Sequence, residues 1–222
     1  MSHPVIFDRA LLRARRARAA QLGAETFLID RVAEDLAVRL SAVLRRFDVA
    51  ADVGTPTDAV RRAMAGRVGT VVAVDPGAQG DKALTVAADE EALPFRDGSL
   101  DLAVSALALQ FVNDLPGTLI QIRRALKPDG LFLAALIGGD SLAELRAAFA
   151  QAESEVEGGV SPRVAPFADL RDLGALLQRA GFALPVTDID RVTVRYSSPL
   201  SLMHDLRRMG ATNVLTERRR KP

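Results

Sequence analysis

A chain of 222 residues can bury one sizeable α/β core with an appendage and is too short for two comfortable domains. Its 29 Lys and Arg against 28 Asp and Glu leave a net charge of +1, so no overall field calls for nucleic acid or an acidic partner. The absence of cysteine and the presence of only two histidines exclude a disulfide framework, a thiolate metal site and an imidazole-rich one, and point to a reducing compartment. No stretch approaches the ~20 apolar residues of a membrane-spanning helix, and none reads as a signal peptide. A soluble protein without a membrane span is expected.

In chain order, the stretch 9–22, RALLRARRARAAQL, carries Arg and Ala without acids. A transit peptide has that composition, but Arg outnumbers Lys along the whole chain, so a solvated basic helix in a bacterial protein is the reading preferred here. Residues 25–47 repeat apolar side chains at helical spacing, Phe27, Leu28, Val32, Leu36, Leu40, Val43 and Leu44. A short strand over 48–53 and a helix over 59–65 follow. Then come apolar strand-like runs at 68–76, 83–88, 99–107 and 130–137, with a helix over 116–126. Continuous apolar strands alternating with helices imply a mostly parallel sheet covered on both faces.

Beyond Gly138 a helix capped at Asp140 is expected, then the connection GGVSPRVAPF, then a helix over 168–180 stopped by Gly181. The run FALPVTDIDRVTVRYSS (182–198) reads as two strands joined by a turn. Three parts result: an N-terminal helical segment (1–47), an α/β domain (48–198) with a cap insertion at about 138–167, and a C-terminal helix with a basic tail (199–222). The cap is rich in Gly, Ser and charge, and mobility is expected of it.

In a doubly wound sheet the ligand sits at the carboxyl ends of the strands, so strand-end residues carry the chemistry. Asp52 and Gly54 end the first strand, Asp75 the second, Asp89 and Glu90 follow the third, and SALALQFVND follows the fourth. Asp75 lies 23 positions after Asp52, near the ~20-residue offset at which an acid meets ribose hydroxyls; a turn-starting Asp before Pro76 is the alternative. Asp89 and Glu90 could accept an adenine amine or form a solvated acidic loop. Asn113 and Asp114 suit a helix cap, and LKPDGLF a helix end, a Pro-Asp-Gly turn and a strand entry.

These residues carry a resemblance. Asp-x-Gly after strand one, an acid after strand two, ADEEALPF, SLDLAVSALALQFV and LKPDG in this order resemble the class I S-adenosylmethionine-dependent methyltransferases. FDR near the start, LALQFVNDLP, LKPDGLFLAALIGGDSLAELR, AESEVEGGVSPRVAPF and DLGALLQRAGF resemble the methyltransferase-like assembly factor of respiratory complex I, itself similar to the malonyl-carrier-protein methyltransferase of biotin synthesis. The resemblance implies a Rossmann-like fold of seven mostly parallel strands with a late antiparallel one, helices on both faces, and a C-terminus that usually runs further. It also implies an S-adenosylmethionine site made by Asp52, Gly54, Asp75, Asp89, Glu90 and Leu107, with Gln110 at the edge of a substrate cavity.

Two departures stand out. Where the family loop reads Asp-x-Gly-x-Gly-x-Gly, this chain has Pro56 and Asp58 at the second and third glycines, and PGAQGDK (76–82) is short for the usual helix. Thr55 is expected as a helix N-cap, Pro56 at the first helical position and Asp58 at the third, a cap that would occupy the donors a cofactor needs. Three readings remain open: an S-adenosylmethionine-dependent methyltransferase, a complex I assembly factor or protein arginine hydroxylase of the same branch, and a binding module that has lost catalysis. The partner is then a complex I subunit or another protein or small-molecule acceptor. The expected location is the bacterial cytoplasm, or the periphery of the inner membrane, ahead of a mitochondrial one.

Overall fold

The computed structural model describes residues 4–77 and 84–219. Two helices, α1 (Arg9–Gln21) and α2 (Phe27–Ser41), precede the sheet. The side chain of Asp8 caps α1 by accepting from the amide of Leu11 at 2.9 Å. Helix α2 turns Ile29, Ala33, Leu36, Ala37 and Leu40 inward, a stripe at helical spacing.

Five strands follow, β1 (Phe47–Val53), β2 (Val68–Val74), β3 (Thr85–Val86), β4 (Leu100–Ala106) and β5 (Leu126–Ala135). They form one sheet in the order β3-β2-β1-β4-β5, with every pairing parallel. β1 lies at its centre and β4 is buried along its whole length, which explains their mostly apolar sequences, interrupted by Asp48 and Asp52 in β1 and by Asp101 and Ser105 in β4. Helix α2 and the short α3 (Ala59–Ala63) pack Leu36, Leu40 and Val60 on one face with Phe47, Leu102 and Val104. Helix α4 (Leu115–Ala125) packs Ile122 and Ala125 on the other with Ala51, Val53 and Ala103. Asp114 caps α4 through the amide of Gly117 at 2.9 Å, as its sequence suggested. Asn113 instead accepts from the amides of Ile6 and Phe7, at 2.8 and 2.7 Å, and so ties the N-terminal segment to the sheet.

Among the described residues the sheet has five strands, all parallel, where the family resemblance implied seven with an antiparallel member. Helices α5 (Ala143–Glu157), α6 (Leu170–Arg179) and α7 (Pro199–Arg208) follow β5, but segment 182–198 forms no strand. It is irregular and held by a few contacts: Phe182 stacks on Phe132, and Asp188 and Asp190 pair with Arg39 and Arg31 of α2 at 2.9 and 3.0 Å. No strand pairs with it, so Leu184 and Val186 stay 93% and 89% exposed. Alternating apolar residues specify a strand only when a partner supplies the ladder.

Smaller departures have local causes. Pro-Asp-Gly does not precede β5 but lies inside it: Leu100 faces Leu126 and Leu102 faces Leu131, with an irregularity between and Asp129 in the left-handed region at φ 60°. Helix α5 begins after Leu142 rather than at Asp140, without a side-chain cap. The short connection before β3 lies mostly at 78–83, and the last basic residues at 220–222, both outside the described residues. Among the described residues no helix is long and apolar enough to cross a membrane.

Candidate functional site

The carboxyl ends of β1, β2 and β4 meet the loop after β3 beneath helix α1. Asp52 sits on the central strand and is 1% exposed, because β2 and β4 pair with β1 on both sides. Burial pushes its carboxyl up to about 7, against the opposing pull of Thr55 and Arg61. Arg61 lies 3.5 Å away, and neither carboxylate oxygen of Asp52 has a well-formed hydrogen bond. A buried acid without a hydrogen bond is costly, and such groups cluster at functional sites.

Gly54 follows with φ +73°, and its amide donates to the carbonyl of Val74 at 3.0 Å. Glycine is needed twice over, for the left-handed backbone and because a Cβ would meet the side chain of Glu90. The expected cap at Thr55 does not form. Its hydroxyl instead accepts from the amide of Ala106 at 3.1 Å, a buried link between the ends of β1 and β4. Helix α3 starts only at Ala59; Asp58 makes no side-chain cap there and pairs with Arg62 one turn later.

Asp89 and Glu90 face three arginines of α1. Glu90 is fully buried and pairs with Arg9 and, at 3.4 Å, with Arg16; Asp89 pairs with Arg9 at 2.9 Å and with Arg13 at 3.5 Å. Burial works against charge on Arg9, but Glu90 and Asp89 outweigh it and raise its pKa. On Arg16 burial wins over the attraction of Glu90 and the pKa falls. Burial likewise opposes ionisation of Asp89, yet the Glu91 amide and Arg9 hold its carboxyl below the usual range. The basic run was expected to face solvent. Its signal for the opposite is spacing: Arg9, Leu12, Arg16 and Ala19 share one helix face, and Leu12 and Ala19 are buried.

Asp75 accepts from the amide of Gly77 at 2.8 Å, a turn-starting contact made by one oxygen. Leu107 follows β4 with φ 52°, and Gln110 braces that turn by donating to the carbonyl of Leu107 at 2.9 Å. The buried carbonyl oxygen of Gln110 has no partner. Leu107 and Gln110 line a cleft of about 1840 Å³ that begins near Arg16 and Pro56 and runs along β5 to segment 182–198. The sequence-derived residues Asp52, Gly54, Asp89 and Glu90 thus form one connected cluster, while Leu107 and Gln110 border the cleft beside it.

Residues 51–134 match the family model described as a methyltransferase domain. Over an alignment of 226 positions that covers 96% of this chain, the sequence is 37% identical to the arginine-hydroxylase NDUFAF5 of Danio rerio, of which 70% is covered. The chain belongs to this family. It spans 66% of the human NDUFAF5, so about a third of that relative has no counterpart in the match. The family bond extends to a malonyl-[acyl-carrier protein] O-methyltransferase of Gallionella capsiferriformans, 41% identical over 63% of this chain and 46% of that enzyme. A solved S-adenosylmethionine-dependent methyltransferase of Thermotoga maritima superposes with a TM-score of 0.50 at 20% identity, covering 71% of this chain and 74% of that one. That structural likeness establishes the Rossmann-like class I methyltransferase fold of this chain.

Proposed function

We propose that this chain is an S-adenosylmethionine-dependent methyltransferase whose cofactor lies at the carboxyl ends of β1 and β2, under α1. The observation that carries the reading is Asp52, a buried carboxyl without a well-formed hydrogen bond, beside a left-handed Gly54 at the central strand's end. The residues fit the group: Asp75 would hold the ribose diol, Leu107 would wall the purine, and Asp89 would face the adenine amine with Oδ2, which Arg13 meets only at 3.5 Å. Glu90, buried with both oxygens on Arg9 and Arg16, would hold α1 rather than the adenine. S-adenosylmethionine would supply an electrophilic methyl on a sulfonium. The protein would position the acceptor in the adjoining cleft, with Gln110 at its edge, and exclude water there.

A second reading is favoured by the family name: the relatives are called arginine hydroxylases, and their 37% identity spans nearly this whole chain. In that reading the acceptor is an arginine of a protein partner, in the branch's setting a subunit of respiratory complex I, and the protein works in the bacterial cytoplasm or at the inner membrane's periphery. Calorimetry with S-adenosylhomocysteine tests the cofactor site. Mass spectrometry of a complex I subunit from cells with and without the chain separates the two chemistries: a gain of one methylene marks methylation, a gain of one oxygen marks hydroxylation. Absence of nucleoside binding together with an unchanged subunit would favour a binding module without catalysis.

A further inference from the structure

Asn113 lies between the short helical turn at Leu109–Phe111 and helix α4. Its side-chain carbonyl accepts from the amides of Ile6 and Phe7, and its Nδ2 donates to the carbonyl of Phe7 at 3.2 Å. On the other side its backbone amide donates to the carboxylate of Glu91. Both sets of partners adjoin the candidate site. Phe7 stands two residues before Arg9, Glu91 one residue after Glu90, and Arg9 pairs with Glu90 and Asp89. One residue therefore holds the chain on both sides of that ion-pair cluster.

The N-terminal segment has a second anchor, but not on the sheet. Phe7 bridges Leu215 in antiparallel fashion, the amide of Asp8 donates to Val214 at 2.8 Å, and that of Thr216 donates to Ile6 at 2.9 Å. The two ends of the chain thus form one paired unit. Three contacts hold this unit to the turn after β4: Asn113, the edge-on packing of Phe7 on Phe111 with ring centroids 5.8 Å apart, and Arg9 Nη1 on the carbonyl of Phe111 at 3.0 Å. Gln110, at the edge of the cleft, is the neighbour of Phe111 in that turn.

From this geometry we infer that Asn113 is a positioning residue for the proposed transfer, setting α1 over the carboxyl ends of the strands and Gln110 at the edge of the cleft. It acts through Phe7, Arg9 and Glu91 and not on the reacting atoms. The inference rests on the cofactor site proposed above. An asparagine amide suits the place because it combines an acceptor for two amides with a donor to a carbonyl. Without these bonds α1 spends part of its time undocked, and a site that is competent in only a fraction of the molecules binds more weakly by that fraction.

The test compares three variants by calorimetry with S-adenosylhomocysteine and by hydrogen exchange. Asn113→Leu keeps the bulk and removes the polar atoms, and Asn113→Asp keeps the acceptor for Ile6 and Phe7 but loses the donor to Phe7. Leu40→Ala is the control, a core variant clustered with Phe47 at the start of β1 and with none of the N-terminal segment. Asn113→Leu should bind about 10-fold more weakly, as when roughly one molecule in ten keeps α1 docked. It should also lose protection at Leu12 to Ala19 while β1 and β4 keep theirs. Asn113→Asp should fall between it and the wild type, and Leu40→Ala should bind as the wild type does. Wild-type affinity in Asn113→Leu, or an equal loss in Leu40→Ala, would overturn the inference, because Asn113 would then serve stability alone. If the wild type binds no nucleoside, the cofactor reading falls by itself and exchange decides: loosening of 12–19 and 89–91 in Asn113→Leu but not in Leu40→Ala upholds the placement, and unchanged protection removes it. Should Asn113→Leu fail to fold, Asn113→Asp decides on the same two readings.

Discussion

Arg16 of α1 and Glu90 of the loop after β3 meet across the carbonyl of Gly54, with Arg16 Nη1 3.3 Å from that oxygen and 3.4 Å from the Glu90 carboxylate. Through this contact and the pair with Arg9, α1 closes over the carboxyl ends of the strands. The helix that looked like a solvated appendage thus packs over the candidate site. Removing one member of a buried ion pair leaves the other charge unpaired and costs about 3–5 kcal/mol. Glu90→Ala is expected to lower the melting temperature by roughly 6–20 °C, at the ~2–4 °C per kcal/mol typical of a chain this long, and to expose α1 to protease. A shift below the noise of calorimetry would mean that α1 docks without Glu90.

Gly54→Ala meets two obstacles at once, the left-handed backbone and the side chain of Glu90. Each is a recognised source of roughly 1–3 kcal/mol of strain. Shortening Glu90 relieves only the second. Gly54→Ala and Glu90→Ala together should therefore destabilise less than the two losses added, a coupling of about 0.5–3 kcal/mol in a double-mutant cycle. Strict additivity would show that the close approach carries no energy.

Asp75 gives one oxygen to the turn at Gly77, which leaves the ribose role and the turn role compatible. Asp75→Ala is expected to weaken S-adenosylhomocysteine by about 1.5–3 kcal/mol, the range for hydrogen bonds to a charged group, with a stability loss near 1 kcal/mol from the turn. An unchanged dissociation constant with the stability loss intact would leave Asp75 a turn residue only.

The central sheet was legible because its strands are continuous apolar runs, and their ends placed Asp52, Gly54 and Asp75 where the structure has them. Two things were not legible. Segment 182–198 has the alternation of strands, but alternation says nothing about whether a neighbour offers hydrogen bonds, and here β5 remains the edge. Arg9 and Arg16 were read by their charge, whereas their partners, Asp89 and Glu90, stand about 75–80 residues on and are brought near only by the fold. Likewise, Pro56 and Asp58 looked like a helix start, but Thr55 was drawn away to Ala106 and the helix began later.

The cap has an anchor that its Gly-rich sequence did not suggest. Glu153 is 7% exposed and accepts from the amide and hydroxyl of Ser161 at 2.7 Å and from Arg163 Nε at 2.6 Å. The Ser161 amide and hydroxyl, then Arg163, hold its carboxyl down at about 2, below the 4.5 of a free glutamate. Because the folded value is the lower one, the stabilisation is complete above pH 4.5 and is lost as pH falls towards 2. Pepsin should cut within 158–164 increasingly across that interval, and Glu153→Gln should be cut at its upper end already. Equal cleavage rates of both proteins at every pH would dissociate the loop from Glu153.

Asp52 shifts in the opposite direction, and the sign reverses with it. Its folded value of about 7 lies above the 3.8 of a free aspartate, so between these the folded state holds a proton that the unfolded chain has lost. Stability is therefore greatest below pH 3.8 as far as this group is concerned and declines as pH rises through 7. Asp52→Asn keeps the shape and removes the charge. In the absence of ligand the variant should lose the decline between pH 5 and 8 and melt several degrees above the wild type at pH 8, about 2–4 °C for each kcal/mol of relieved desolvation. If the pH profiles of wild type and Asp52→Asn run parallel from pH 5 to 8, Asp52 is ionised throughout, Arg61 at 3.5 Å is its true partner, and the carboxylate is structural.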